Sequence, residues 1–424
     1  VLIVHDWHVL VNNPGQWRTL IDTLPALRDP ANSKQGDPAS LVVFVGPSFD
    51  LTTANPLKGG IPILQFAAPK RDALLKIAAA LCPTNGLTDG VADSLCGLTA
   101  DAAEQAAAEC LAANKKWDVE HLRQSRRKIL EDAGLQMVDP VPWEALRGMS
   151  GFKDAIETRV LPFIRDPQLG VRCILTTGLP GIGKSFSAAA LAGRIGCECV
   201  ELNLEKIKSS GGGIVGQAGA AFERTLSALD VMGTESPIVV LLDELEKVAS
   251  EGLDGGTSSG LHSELLKWLQ RIKDEKKSSR ILVIGTVNEA GKLSAPLENR
   301  FQLKFFYNNL TWEERRAVAE YHYNRLGCQN VAEASKWTAD ATEGFTSREL
   351  AETVCPDVAA LTARNPTDAT IQEVVAGIIP TSKIKAEEFE SMRKAAAGYR
   401  RANDPVEEVR SVGGRRVSGI TAAE

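Results

Sequence analysis

The chain has 424 residues, 44% of them hydrophobic and 24% charged, with a net charge of −6. That length suits two or three domains around a sizeable buried core, and the acidic balance supplies no global attraction to nucleic acid or an anionic membrane. No apolar run reaches the length of a membrane span, and eight cysteines without Cys-x-x-Cys spacing beside five histidines point to reduced thiols rather than a zinc site.

In chain order, Val1-Leu-Ile-Val4 lies inside an apolar run with neither a methionine nor a leader layout. It reads as a cut within a domain whose true N-terminus is missing. His5 and His8 read as strand-end residues in preference to metal ligands. Leu41-Val-Val-Phe-Val45 is a second strand-like run, and the segment from Leu98 to about Gly134 is alanine-rich and helical. Residues 135–142, with Pro140 and Pro142, read as a short linker.

The next elements carry chemistry. Val171–Thr177 is an apolar strand, and Phe186–Ile195 is a helix with small residues on its packing side. Between them runs Gly178-Leu179-Pro180-Gly181-Ile182-Gly183-Lys184-Ser185, which fits G-x-x-x-x-G-K-[ST]. The glycines let backbone N–H groups wrap a β-phosphate at a helix N-terminus. Lys184 would reach the β- and γ-phosphates of ATP, and the Ser185 hydroxyl would hold Mg²⁺.

Pro237–Leu242 is a buried-strand run that ends in Asp243-Glu244. Asp243 suits Mg²⁺ coordination through water, and Glu244 suits polarising the attacking water. Arg280–Val287 is another such strand, ending in Asn288, which is placed to hold that water or touch the γ-phosphate. Arg300 precedes a fifth strand, Gln302–Tyr307; it reads as a solvated charge or as a finger reaching a neighbouring subunit's nucleotide. Residues from about 311 to 380 have helical periodicity. Within them Thr346 or Ser347 caps a helix that carries Arg348, a second candidate for the phosphates. After about 382 the chain turns charged, through Lys383, Lys385, Arg393, Lys394, Arg400 and Arg401, and then loose at Gly413-Gly-Arg-Arg416.

Taken in this order, the elements resemble the AAA+ ATPases over about residues 140 to 380. The resemblance implies Walker A at Gly178–Ser185, Walker B at Asp243 and Glu244, sensor 1 at Asn288, the arginine finger at Arg300 and sensor 2 at Arg348. It implies an α/β P-loop NTPase fold: a five-stranded parallel sheet flanked by helices, then a helical lid. Trp143–Lys153 looks like the segment that wraps adenine. Asp243-Glu-Leu-Glu-Lys247 and Gly255–Gln270 resemble the cyanobacterial and plastid-encoded AAA proteins, found also in other bacteria and phages, which carry a degenerate N-terminal AAA-like domain. The implied location is the cytoplasm, or the stroma for a plastid-encoded chain.

An internal repeat agrees with such a copy. Val1–His8 parallels Val239–Glu246, Leu41–Gly46 parallels Ile281–Gly285, Pro56–Ile61 parallels Pro296–Phe301, and Gly97-Leu-Thr99 parallels Gly344-Phe-Thr346. Trp7 stands in the place of Glu244, Gly60 of Arg300 and Asp101 of Arg348. The expected division is therefore a non-hydrolysing AAA-like domain at 1–134, the linker at 135–142, the ATPase core at 143–309, the lid at 310–381 and a charged, partly disordered tail at 382–424.

Three functions compete. The first is a homo-oligomeric ring, a hexamer in the usual family arrangement, that remodels a protein partner. In such motors a loop after the second strand grips polypeptide; here it is Ser209–Gln217, with Ile214 in place of an aromatic and so less area to bury. The second is a slow ATPase switch or assembly factor. The third is a nucleic-acid-directed ATPase, supported only by the basic tail. No His-Glu-x-x-His suggests a protease.

Overall fold

The structure is a computed structural model. It describes residues 2–5, 42–45, 69–82, 89–162, 166, 169–204, 206–207, 217–249, 257–274, 280–289, 291, 293–404, 408–412 and 415–419. The Ile214 loop, Asp6, Trp7, His8, Gly60 and Gly255 lie outside these residues.

Two short strands, β1 (Leu2–His5) and β2 (Val42–Val45), pair in parallel. Among the described residues four helices follow: α1 (Arg71–Leu81), α2 (Asp89–Asp93), α3 (Ala100–Asn114) and α4 (Val119–Asp132). Then come β3 (Leu135–Val138), α5 (Ser150–Ala155), β4 (Cys173–Gly178), α6 (Lys184–Ile195), β5 (Glu198–Leu202) and α7 (Gln217–Glu235). They are followed by β6 (Ile238–Leu242), α8 (Glu246–Ala249), α9 (Thr257–Asp274), β7 (Ile281–Val287), α10 (Ala295–Glu298) and β8 (Leu303–Tyr307).

The four apolar runs read as strands, together with β5, form the centre of one sheet. Its order is β3-β5-β6-β7-β4-β8, with a two-residue strand, β9 (Arg400–Arg401), beside β8 at the far edge. The pairs from β5 to β8 are all parallel. Strands β4, β6 and β7 are buried along their whole length. That fits a parallel sheet covered on both faces, whose strands read as continuous apolar runs. Alternate residues serve opposite cores. Leu175, Val200, Val240 and Val283 face α7, α9 and the helices of 71–132. Ile174, Cys199, Val239 and Leu282 face α6 and the lid.

Two features differ from the sequence reading. The stretch read as a linker begins with β3, which pairs antiparallel with β5 (Leu135 opposite Leu202) and closes that edge. Past the lid helices α11 (Trp312–Arg325), α12 (Val331–Ala341), α13 (Ser347–Glu349), α14 (Cys355–Leu361) and α15 (Asp368–Ala376), the first part of the stretch read as a tail, residues 382–404, folds onto the sheet. It forms α16 (Thr381–Ile384), α17 (Ala386–Ala395) and a two-residue strand, β9 (Arg400–Arg401), parallel to β8. Phe389 stacks on Phe306 at 5.7 Å, and Met392 and Ala396 close over Leu179. A few apolar side chains outweigh the charged ones, because only one face of the helix needs burial. Strands β10 (Glu408–Val412) and β11 (Arg415–Gly419) pair antiparallel with each other.

Candidate active site

α6 starts at Gly183, whose φ of 107° is open to glycine and strained for any other residue. That turn aims the first-turn amides of the helix at a cavity of about 620 Å³. Pro180, Gly181, Ile182, Gly183, Lys184 and Ser185 line it. Gly178 and Leu179 lie beneath, and their carbonyls accept from Lys184 Nζ at 2.7 and 3.0 Å. Lys184 is only 6% exposed. Burial pushes its amine down to about 8, against the pull of Asp243 and Glu246.

The ends of β6 and β7 deliver the polar partners. Lys184 Nζ also donates to Asn288 Oδ1 at 2.9 Å, and Ser185 Oγ donates to Asp243 Oδ1 at 3.0 Å. Thr286 Oγ1 donates to Asp243 Oδ1 and accepts from Glu244 N at 3.1 Å. Glu244 has a φ of 52°, rare for a residue with a side chain. Its carboxylate lies 2.6 Å from Lys247 Nζ and accepts from Asn288 Nδ2 at 3.4 Å. Glu201 on β5 is pushed up by burial and by the charges of Asp243 and Glu244. A local excess of carboxylate of this kind favours a cation.

The lid closes the cavity from above. Arg348 N donates to Gly181 O at 2.9 Å, and the Arg348 side chain lines the cavity, 3.9 Å from Glu352. Thr346 and Glu349 form a reciprocal capping box at the start of α13. At the far end, Leu146, Arg147 and Met149 face Tyr321, His322 and Arg325 of α11 across the cavity. The Arg147 guanidinium lies 4.9 Å from the Tyr321 ring centre, and His322 is pushed down by burial and by Arg325.

Asp243, Glu244, Asn288 and Arg348 thus share one cavity with the glycine turn. Arg300 does not line it. It sits in the turn after α10, with a buried Nε that has no partner among the described residues. Sequence reasoning missed Thr286 and Glu246, whose Oε1 accepts from Asn288 N at 3.0 Å. Glu246 stands two residues past Glu244 within the acidic run, which was the one visible signal for it.

Residues 174–309 match the family model described as "ATPase family associated with various cellular activities (AAA)". The uncharacterized AAA domain-containing protein ycf46 of Guillardia theta is 24% identical over 347 residues, 77% of this chain and 64% of that protein. Cell division protein C of Sulfolobus acidocaldarius is 22% identical over 232 residues, 53% of this chain and 61% of that protein. The chain therefore spans a little under two thirds of these curated relatives. A crystal structure of the FIGL-1 AAA domain in complex with ADP has a TM-score of 0.50 at 19% identity, covering 63% of this chain and 94% of that one. At that identity the likeness concerns the fold.

Proposed function

We propose, from the match of residues 174–309 to the AAA family model, that the chain binds ATP with magnesium in the cleft between glycine turn and lid and hydrolyses it. One observation carries the reading: Lys184, Ser185, Asp243, Glu244 and Asn288 meet at one wall of one cavity. The ADP complex of the FIGL-1 domain supports it as a likeness.

The donor set fits magnesium. A hydroxyl and a carboxylate lie 3.0 Å apart, both hard oxygens, and magnesium characteristically takes one or two such ligands plus substrate phosphates. Ser185 and Asp243 would hold it, and when bound it would neutralise charge on the β- and γ-phosphates. The rest falls to this chain's residues. The α6 amides and Lys184 hold the phosphates. Glu244 takes the proton of the water that attacks the γ-phosphorus, the bond to the β–γ bridging oxygen breaks, and ADP leaves with that electron pair. Asn288 orients the water, and Arg348 contacts the phosphates from the lid.

We read Arg300, which does not line this cavity, as a finger reaching a neighbour's nucleotide in a homo-oligomeric ring. Arg300→Ala should lower ATP turnover about 1,000-fold while leaving the nucleotide affinity of the single chain within about twofold. Steady-state phosphate release and nucleotide titration check this; equal turnover would remove the shared-site role. The lowered Lys184 amine makes a second prediction. A bound triphosphate stabilises the ammonium, so ATP binding near pH 8 should take up part of a proton, and affinity should fall as pH rises above that range. Calorimetry in two buffers of different ionisation enthalpy reads both.

The work we assign to hydrolysis is remodelling of a protein partner, with a slow switch or assembly factor as the second reading. The nucleic-acid reading keeps only its basic stretch, where Arg393, Lys394, Arg400 and Arg401 are exposed while Phe389 and Met392 pack inward. We further assign 1–134 as a non-hydrolysing AAA-like copy. In support, Gly97 and Gly344 have φ of 87° and 82°, and the Thr two residues after each caps a helix through its side chain. Among the described residues no helix is long and apolar enough to cross a membrane, and our placement is the cytoplasm or a plastid stroma.

A further inference from the structure

Glu314 on α11 is fully buried, yet its carboxylate takes four N–H donors. Oε1 accepts from Met149 N at 3.1 Å and Asp404 N at 2.9 Å. Oε2 accepts from Thr311 N and from Asn403 Nδ2, both at 2.9 Å. One charge therefore joins three segments: the loop at the far end of the cleft, the start of the lid, and the stretch after β9. A buried carboxylate is tolerated only with such satisfaction.

That stretch is held on its other side as well. Phe152 N donates to Ala402 O at 3.0 Å, and Ser150 N donates to Asp404 Oδ1 at 2.8 Å. Ala402 N donates to Phe306 O at 3.0 Å, and Asn308 N to Asn403 Oδ1 at 2.6 Å. The fit leaves no slack: a Cβ on Gly151 would lie 2.5 Å from Arg401 O.

We propose that residues 402–404, anchored on Glu314, are a positioning strap for the nucleotide cleft. They press the Arg147–Ser150 loop against the lid in the shape that receives the base end of the ligand. The loop needs such a hold, because Gly148 and Met149 both have left-handed backbones, with φ of 66° and 59°. None of the strap residues, nor Glu314, lines the cavity. The strap therefore acts through Arg147 and Met149, by preforming the pocket, and leaves the phosphate end untouched. This assignment rests on the nucleotide reading above.

The test uses the full chain, a fluorescent mant-ADP titration and steady-state ATP turnover. Asp404→Ala removes the acceptor for Ser150 N. Gly151→Ala wedges strap and loop apart without deleting a hydrogen bond, and so answers the question if Asp404→Ala fails to fold. Both should weaken mant-ADP binding about tenfold and raise KM for ATP similarly, with kcat within about twofold. Asp404→Asn keeps the Oδ1 acceptor and should stay within about threefold of wild-type affinity. Wild-type affinity in both Asp404→Ala and Gly151→Ala, or a loss of kcat at unchanged KM, would overturn the strap alone. A wild-type chain that binds no mant-ADP would overturn the strap and the nucleotide reading together.

Discussion

The Glu244→Gln variant should hold ATP with near wild-type affinity and release phosphate about 1,000-fold more slowly, the range expected for loss of a general base. The amide has almost the volume of the carboxylate, so the backbone at φ 52° is undisturbed and Asn288 Nδ2 keeps its acceptor. What disappears is the proton acceptor. The lost contact to Lys247 matters little, since both side chains are about half exposed and such pairs contribute about 1 kcal/mol or less. Phosphate release and equilibrium binding, measured on one preparation, separate the two effects. Turnover within tenfold of wild type would move the base role to another residue.

Lys184→Ala should weaken nucleotide binding by about 30-fold or more in Kd, because a desolvated charge pair costs about 2–5 kcal/mol to break. The fold should survive. Of the amine's three acceptors, Asn288 Oδ1 belongs to a residue lining the cavity, and Gly178 O and Leu179 O lie just beneath Lys184, where water can enter once the amine is gone. Deleting the amine also relieves the burial that pushes its pKa down to about 8. Calorimetric titration with ATP, beside a thermal melt, distinguishes lost binding from lost structure. Unchanged affinity would detach the glycine turn from phosphate recognition.

The glycine-turn end of the cleft was legible in the residues themselves; at the other end Trp143–Lys153 was reached only through a resemblance, and the α11 residues facing it were not read at all. Gly178–Ser185, Asp243-Glu244 and Asn288 each stand at the end of an apolar run long enough to mark a buried strand. Strand order then brings those ends together. β3 and β9 escaped because an edge strand needs only one neighbour. Leu135–Val138 is short and followed by prolines, and Arg400–Arg401 carries no apolar signal at all. Glu314 reads as an ordinary capping-box glutamate three residues after Thr311. Its other partners lie 89 to 165 positions away, a distance over which no local pattern speaks.

The buried guanidinium of Arg126 grips Glu198 of β5 through two bonds, at 2.6 and 2.9 Å, and Cys96 O through a third. Around it Leu74, Leu95 and Leu122 share one apolar mass with Leu202, Phe222 and Leu226. The recognisable signature and the self-sufficient body are therefore different lengths of chain. A recombinant piece trimmed to 174–309 would bare a greasy wall that α1 to α4 now roof over, and would leave Glu198 without its clamp. A piece meant to stay in solution has to begin upstream of Arg71.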